Sequence, residues 1–497
     1  MTRTARVLFL DLSATSLTPD ERELLKSRRF AGVTVFARNV ADRYQLADYL
    51  SEVRSLAGED FIVAVDQEGG RVLRVLDIPY PPSAMALGAA ADPELTQQVA
   101  AAAGQALLKL GINVNFAPVA DVNVNPRNPV IAERSFGADP AAVAEQVVAF
   151  VRGLQEAGVA ATVKHFPGHG DTSVDSHLTL PTLDRSLAEL ERLELPPFRA
   201  AVAAGVAAVM TAHIVFRQLD PELPATLSPR VLPELLRRDL AFDGVVFTDA
   251  LDMLAIADNH TPVEANLLAL QAGADAPLNI GPVSHHLAIA DGVDEALRSG
   301  QLDPELIAAA ERRLRTLAGR FTAGTVDPAG AWREGDAELL AQAARRSLVL
   351  LGDLPPLDPA APLTVVYQAG SQVQSAAQTF MNPGSDLTGQ LQQAGFTVNP
   401  MVYDPDALDL QEVLARMPQG QTVIFASSRR VTAAELELVR ELARRNEGRF
   451  LHLALLNPYN ALDLPQPALA AFGYRNAQLK AVADALRGTP VTGVLPA

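Results

Sequence analysis

Phe61-Ile62-Val63-Ala64-Val65-Asp66-Gln67-Glu68-Gly69-Gly70-Arg71 is an apolar run that an acid closes and a glycine pair stops. A run this short, rich in β-branched residues and bounded by glycine, predicts a buried strand over Phe61–Gln67 with Asp66 at its carboxyl end. Seven comparable runs flank it: Val7–Leu12, Gly32–Ala37, Val114–Val119, Val159–His165, Ala208–Ile214, Val245–Asp249 and Asp275–Ile280. Between them lie segments of helical periodicity with start signals, such as Thr18-Pro19-Asp20-Glu21 and Asp139-Pro140. Continuous apolar strands alternating with helices imply a parallel sheet covered on both faces. Eight such units over roughly the first 320 residues suit a (β/α)8 TIM barrel, with a doubly wound open sheet as the alternative. Pro277 makes the eighth strand the weakest of the set, because proline cannot donate to a ladder.

At 497 residues the chain is too long for one core. Around Phe321 to Trp332 the sequence turns to Thr, Gly, Pro and Ala, and a second α/β pattern follows. We expect a catalytic barrel over 1–322, a linker over 323–344 and a three-layer α/β sandwich domain over 345–497. Its strands are predicted at Thr364–Gln368, Thr422–Ala426 and Leu451–Leu456, with helices near Leu387–Gln393 and Ala433–Arg445.

Charge and cysteine content narrow the chemistry. There are 58 acidic against 41 basic side chains, a formal net charge of −17, which argues against nucleic-acid or anionic-membrane partners. The chain has no cysteine, which excludes disulfides, thiol catalysis and zinc–thiolate sites. Met1 to Leu10 reads MTRTARVLFL with Asp11 directly after it, a poor signal peptide. No segment approaches the ~20 apolar residues of a membrane span. The expected location is cytoplasmic.

Polar residues interrupt the apolar runs at their carboxyl ends: Asp66 in the third, Lys164-His165 in the fifth and Asp249 in the seventh. In a parallel barrel these ends converge on the face where the loops build the active site. The densest stretch runs Lys164-His165-Phe166-Pro167-Gly168-His169-Gly170-Asp171-Thr172-Ser173-Val174-Asp175-Ser176-His177, with three of the chain's eight histidines and two acids. It reads as acid/base chemistry in which Asp175 tunes His177, as a metal site using His165, His169 and Asp171, or as a glycine-rich structural loop.

Val65 to Val72, Lys164 to Gly170 with Asp175-Ser176-His177, and Thr248-Asp249-Ala250-Leu251 resemble glycoside hydrolase family 3, in particular its bacterial β-N-acetylglucosaminidase (β-N-acetylhexosaminidase) branch. Ile131-Ala132-Glu133-Arg134-Ser135-Phe136-Gly137 is similar too, as are Asn457-Pro458-Tyr459-Asn460 and Gly493-Val494-Leu495-Pro496. The resemblance implies a retaining exo-β-N-acetylhexosaminidase acting on terminal N-acetylglucosamine of saccharides or muropeptides, without metal or cofactor. It implies Asp249 as nucleophile, His177 as acid/base with Asp175, and sugar contacts from Asp66, Arg74, Arg134, Lys164 and His165. An imidazole suits the acid/base role because its intrinsic pKa lies near neutrality. A neutral imidazole also repels phosphate less than a carboxylate does, so a phosphorylase or β-glucosidase is the alternative within the class. A sugar-binding protein without catalysis is the third reading.

Simpler roles remain open for single residues. Arg134 could pair with its neighbour Glu133, His165 could be a core histidine, and Asp249 could cap a helix beginning near Asp252. His169 reads as structural within its glycine turn. Arg71 and Arg74 differ only by position in the motif. Nothing in the sequence sets the oligomeric state.

Overall fold

The computed structural model describes residues 4–172, 179–355, 357–358, 361–369 and 383–496. Eight parallel strands close into a barrel: β1 (Phe9–Asp11), β2 (Gly32–Val35), β3 (Ile62–Val65), β4 (Val114–Asn115), β5 (Ala160–Phe166), β6 (Ala208–Thr211), β7 (Val245–Ala250) and β8 (Ala276–Leu278). Each pairs with its neighbours in sequence, and β1 returns to β8 through Phe9 and Leu278. All eight expected strands are present, and the open-sheet alternative falls with the closure.

The helical start signals work as their chemistry dictates. Thr18 caps helix Pro19–Ser27 in a reciprocal capping box with Glu21, and Asp139 caps helix Pro140–Glu156 by accepting from the Ala142 amide. The strands are shorter than the apolar runs. Thr4–Val7 forms a 3-10 turn ahead of β1, so Val7 lies outside the strand. Pro277 sits inside β8 at a register shift between Ala276 and Leu278. The ladder resumes one residue on, where Leu278 pairs with Ala250 and its carbonyl accepts the Leu251 amide at 3.0 Å, while its own amide donates to the Thr248 hydroxyl at 3.0 Å.

Aromatic rings fill the barrel interior. Phe247 on β7 meets Phe9 on β1 and Phe116 beyond β4, both edge-on at 5.1 Å between centroids. Gly32 on β2 makes the room: a Cβ there would approach the Phe9 ring to 2.5 Å. All three rings are at most 1% exposed. The barrel is therefore a packed core, and its chemistry is confined to its mouth.

The chain divides into two compact units. The second contains Gly69–Arg71, Pro82–Asp92 and Ala337–Ala497. Its six strands are β9 (Val349–Leu351), β10 (Leu363–Gln368), β11 (Val398–Tyr403), β12 (Thr422–Ser427), β13 (Phe450–Ala454) and β14 (Ala468–Ala470), ordered β9-β14-β13-β12-β10-β11. Only β9 runs antiparallel. Helices Pro383–Gln393 and Asn476–Leu486 pack on one face and Leu410–Ala415 and Ala433–Arg445 on the other, which makes three layers. Helix Asp336–Ser347 begins inside the stretch expected as linker. Asp336 starts it by accepting from the Arg333 amide and guanidinium, and Leu340, Ala343 and Ala344 are buried.

Phe247→Ala removes the ring that both neighbours pack against. It is expected to cost about 3–5 kcal/mol, read as a lower denaturant midpoint at unchanged m-value.

Candidate active site

Asp66 follows the last residue of β3, Lys164 and His165 lie near the end of β5, and Asp249 is the penultimate residue of β7. Parallel closure puts all three strand ends on one face of the barrel. Around Asp66 the side chains form a continuous ionic network. Lys164 Nζ bridges Asp66 Oδ1 at 2.7 Å and Glu68 Oε1 at 2.6 Å. Arg134 grips Glu68 with both arms, Nε at 2.9 Å and Nη2 at 2.8 Å, and Arg74 Nη2 reaches Asp66 Oδ2 at 3.2 Å.

Exposure separates the members of this network. The side chains of Lys164, Arg74 and Glu68 are 3%, 5% and 6% exposed, against 18% for Asp66. Asp66 is thus the carboxylate that can meet a ligand, and Glu68 is the internal counter-charge. Burial alone would raise the Glu68 carboxyl, but the Arg134 and Lys164 charges outweigh it and hold Glu68 far below the usual carboxylate range. In Lys164 burial works toward the neutral amine, and Asp66 and Glu68 override it to keep the ammonium. Three cations face two carboxylates in this part of the mouth.

A second acid organises the histidines. Asp121 is fully buried beyond β4. Its Oδ2 binds His165 Nδ1 at 2.7 Å, and its Oδ1 accepts the backbone amides of His165 and His169 at 3.1 and 2.8 Å. Burial pushes the Asp121 carboxyl up, and the His165 ring, His169 and the His165 amide together reverse that, so it stays ionised. His165 Nε2 lies 3.5 Å from Arg134 Nη2, which joins the two networks.

His169 is buried and bonded through Nδ1 to the Thr172 hydroxyl at 2.9 Å. Its ring is pushed down to about 4, chiefly by burial and then by the neighbouring His165, so it is neutral near pH 7. The glycines of this stretch are sterically fixed. A Cβ on Gly170 would lie 1.7 Å from the Val122 carbonyl oxygen, and one on Gly168 would meet Glu194 Oε2 at 2.5 Å.

Several sequence expectations are corrected by these contacts. Arg134 pairs with Glu68 and not with its neighbour Glu133. Asp249 is not a helix cap: the helix after β7 is Leu254–Ala257, with Met253 at its N-cap. Asp249 Oδ1 instead accepts the amide of Ala250 at 2.8 Å. His165, His169 and Asp171 do not form a common metal-ligand set among the described residues, since Asp171 is engaged by Arg185 at 2.5 Å. Asp175 and His177 lie outside the described residues. Sequence reading assigned no role to Glu68 or Asp121. Asp121 had the same signal as Asp66, an acid just past an apolar run.

Glu194, at the junction of helices Leu187–Leu193 and Leu195–Ala203, gave no signal at all. It is fully buried against Gly168, and neither carboxyl oxygen has a hydrogen-bond partner among the described residues. Burial, reinforced by the Asp121 and Asp171 charges and only partly offset by Arg185, raises its carboxyl well above 4.5. The folded chain therefore keeps a proton that the unfolded chain releases. Its cost to stability is absent below the unfolded value, about 4.5, and grows as pH rises to the folded value. Glu194→Gln cannot ionise. Its melting temperature relative to the parent is expected to climb steadily with pH above that point, and a pH-independent difference would contradict the assignment.

Known proteins resemble the chain over most of its length. A family model described as the glycosyl hydrolase family 3 N terminal domain matches residues 6–317. The structure of a glycoside hydrolase family 3 beta-N-acetylglucosaminidase from Paenibacillus sp. str. FPU-7 superimposes with a TM-score of 0.91 at 35% identity, covering 100% of this chain and 98% of that one. A beta-hexosaminidase from Stenotrophomonas maltophilia (strain R551-3) is 39% identical over 303 residues, 59% of this chain and 87% of that protein. Beta-hexosaminidase A of Pseudoalteromonas piscicida is 35% identical over 331 residues, 61% of this chain. The match spans 55% of that relative's length.

Proposed function

This chain belongs to glycosyl hydrolase family 3, and we propose from that premise that it is a retaining exo-β-N-acetylhexosaminidase removing terminal, non-reducing β-N-acetylglucosamine. It is a glycoside hydrolase. The observation that carries the finer reading is the ionic network at the mouth: a partly exposed carboxylate, Asp66, is clamped between Arg74 and Lys164. Fixed donors and acceptors of this kind suit vicinal sugar hydroxyls, each of which donates and accepts. His165, held by Asp121, and Arg134, held by Glu68, extend the same rigid surface. Likeness to the Paenibacillus enzyme over nearly the whole of both chains supports the N-acetylglucosaminide assignment.

The mechanism follows from the chemistry of these groups. Asp249 attacks the anomeric carbon while the glycosidic bond breaks, and His177 gives a proton to the departing oxygen. A covalent glycosyl–Asp249 ester results. His177, now neutral, takes a proton from water, whose oxygen attacks the anomeric carbon and frees Asp249. Asp175 orients His177 and stabilises the imidazolium that donates in the first step and re-forms in the second. The roles of Asp175 and His177 rest on the sequence motif.

Among the described residues no helix is long and apolar enough to cross a membrane. With the acidic net charge, we take the setting to be cytoplasmic and the substrates to be small cell-wall-derived saccharides or muropeptides.

Three measurements test this reading. Asp249→Asn is expected to abolish turnover of an aryl β-N-acetylglucosaminide while leaving the melting temperature close to that of the parent. Turnover at the parent rate would remove Asp249 from the mechanism. The parent enzyme should favour that substrate over the aryl β-glucoside by at least about 100-fold in kcat/KM. Free sugar should be the product with or without phosphate, and a sugar phosphate would reassign the second step to phosphorolysis.

A further inference from the structure

Asp249 stands on an unusual piece of strand. The ladder between β6 and β7 runs through Ala208 and Val245, Val209 and Val246, and Met210 and Phe247, and it goes no further. Thr248, Asp249 and Ala250 continue β7 beyond the reach of β6. On the other side this extension is tied to β8: the Leu278 amide donates to Thr248 Oγ1 at 3.0 Å, and the Leu251 amide donates to the Leu278 carbonyl at 3.0 Å.

Toward β6 the gap is bridged by a side chain, His213, two residues past the strand. His213 is 1% exposed. Its Nε2 lies 2.9 Å from the carbonyl oxygen of Ala250, and its Nδ1 lies 2.8 Å from Thr226 Oγ1. A carbonyl oxygen only accepts, so Nε2 carries a proton. Thr226 is itself fixed, with its hydroxyl 3.0 Å from the Ala212 carbonyl and 2.8 Å from Thr211 Oγ1. The imidazole is thus anchored to the β6 loop at one nitrogen and grips β7 with the other. The residue it grips, Ala250, is the one whose amide binds the Asp249 carboxylate at 2.8 Å.

We propose that His213 is a positioning residue for catalysis: it completes the missing β6 side of the ladder and fixes Ala250, and through the Ala250 amide fixes the direction of the Asp249 carboxylate. The proposal rests on the reading of Asp249 as nucleophile. Attack at the anomeric carbon requires a carboxylate oxygen on line with the breaking bond, and small misplacements of a reacting group are costly. The His213 bonds described above reach Ala250 and Thr226, on the side of Asp249, so its loss is read first in kcat.

Two substitutions separate this role from a merely structural one. In His213→Gln the side-chain amide nitrogen falls near the place of Nε2 and can still donate to Ala250. In His213→Asn it falls near the place of Nδ1 and cannot. With an aryl β-N-acetylglucosaminide, His213→Asn is expected to lower kcat by about 100-fold with KM nearly unchanged, and His213→Gln to recover most of the loss. Parent-like kcat in His213→Asn, a rise in KM at constant kcat, or equal losses in both variants would overturn the proposal. If His213→Asn does not fold, Thr226→Val carries the test. It frees Nδ1 without emptying the site and is expected to lower kcat in the same sense, whereas an unchanged kcat overturns the proposal. Failure of the underlying reading is distinguishable: an active Asp249→Asn removes the nucleophile, whereas a dead Asp249→Asn beside a normal His213→Asn removes only the role of His213.

Discussion

A carboxylate as buried as Glu68 stays ionised only while Arg134 and Lys164 hold it, and Glu68, with Asp66, keeps those two cations charged inside the protein. Desolvation of any one ion costs several kcal/mol, and breaking such a set by removing one partner typically costs about 3–5 kcal/mol. The whole mouth of the barrel hangs on this constraint. Lys164 passes it to Asp66, Arg134 passes it to His165, and Asp121 holds His165 from the other side. Loops after three different strands are thereby locked into one arrangement before any ligand arrives. A sugar is weakly hydrophobic and richly hydroxylated, and its affinity depends on donors and acceptors that need no reorganisation.

The Asp66 network is ionic and redundant, with each charged group held by at least one other. Asp249 stands on a strand extension tied to β8 through the Thr248 hydroxyl and the Leu251 amide, and to the β6 loop through His213. The Ala250 amide on that extension binds Asp249 Oδ1 and gives the carboxylate its direction.

The barrel was readable from sequence because its strands are buried on both faces and so appear as unbroken apolar runs. What blurred were the ends. Val7 is apolar for burial and not for strand pairing, and Pro277 is tolerated because a bulge removes the need for its amide. In the second unit β10, β12 and β13 were legible as central strands. Short β9 and β14 were not, and neither was edge strand β11, whose alternating exposed residues and Pro400 weaken the pattern. The polar strand ends at Asp66, Lys164, His165 and Asp249 were visible one by one. Their partners were not, because pairing across loops is set by the closed barrel: Glu68 with Arg134 spans 66 residues, and His165 with Asp121 spans 44. Glu194 could not have been found from sequence, since a lone glutamate between two helices reads as solvent-facing until burial is known.

The central claim is that a sugar resides covalently on Asp249 between two chemical steps. Acid quenching of the parent enzyme during steady turnover of an aryl β-N-acetylglucosaminide, followed by digestion and mass analysis, tests it directly. The account predicts one N-acetylhexosaminyl group on the peptide carrying Asp249, with the first-formed free sugar in the β configuration. A modified residue other than Asp249, or no adduct together with an α-configured first product, would contradict it.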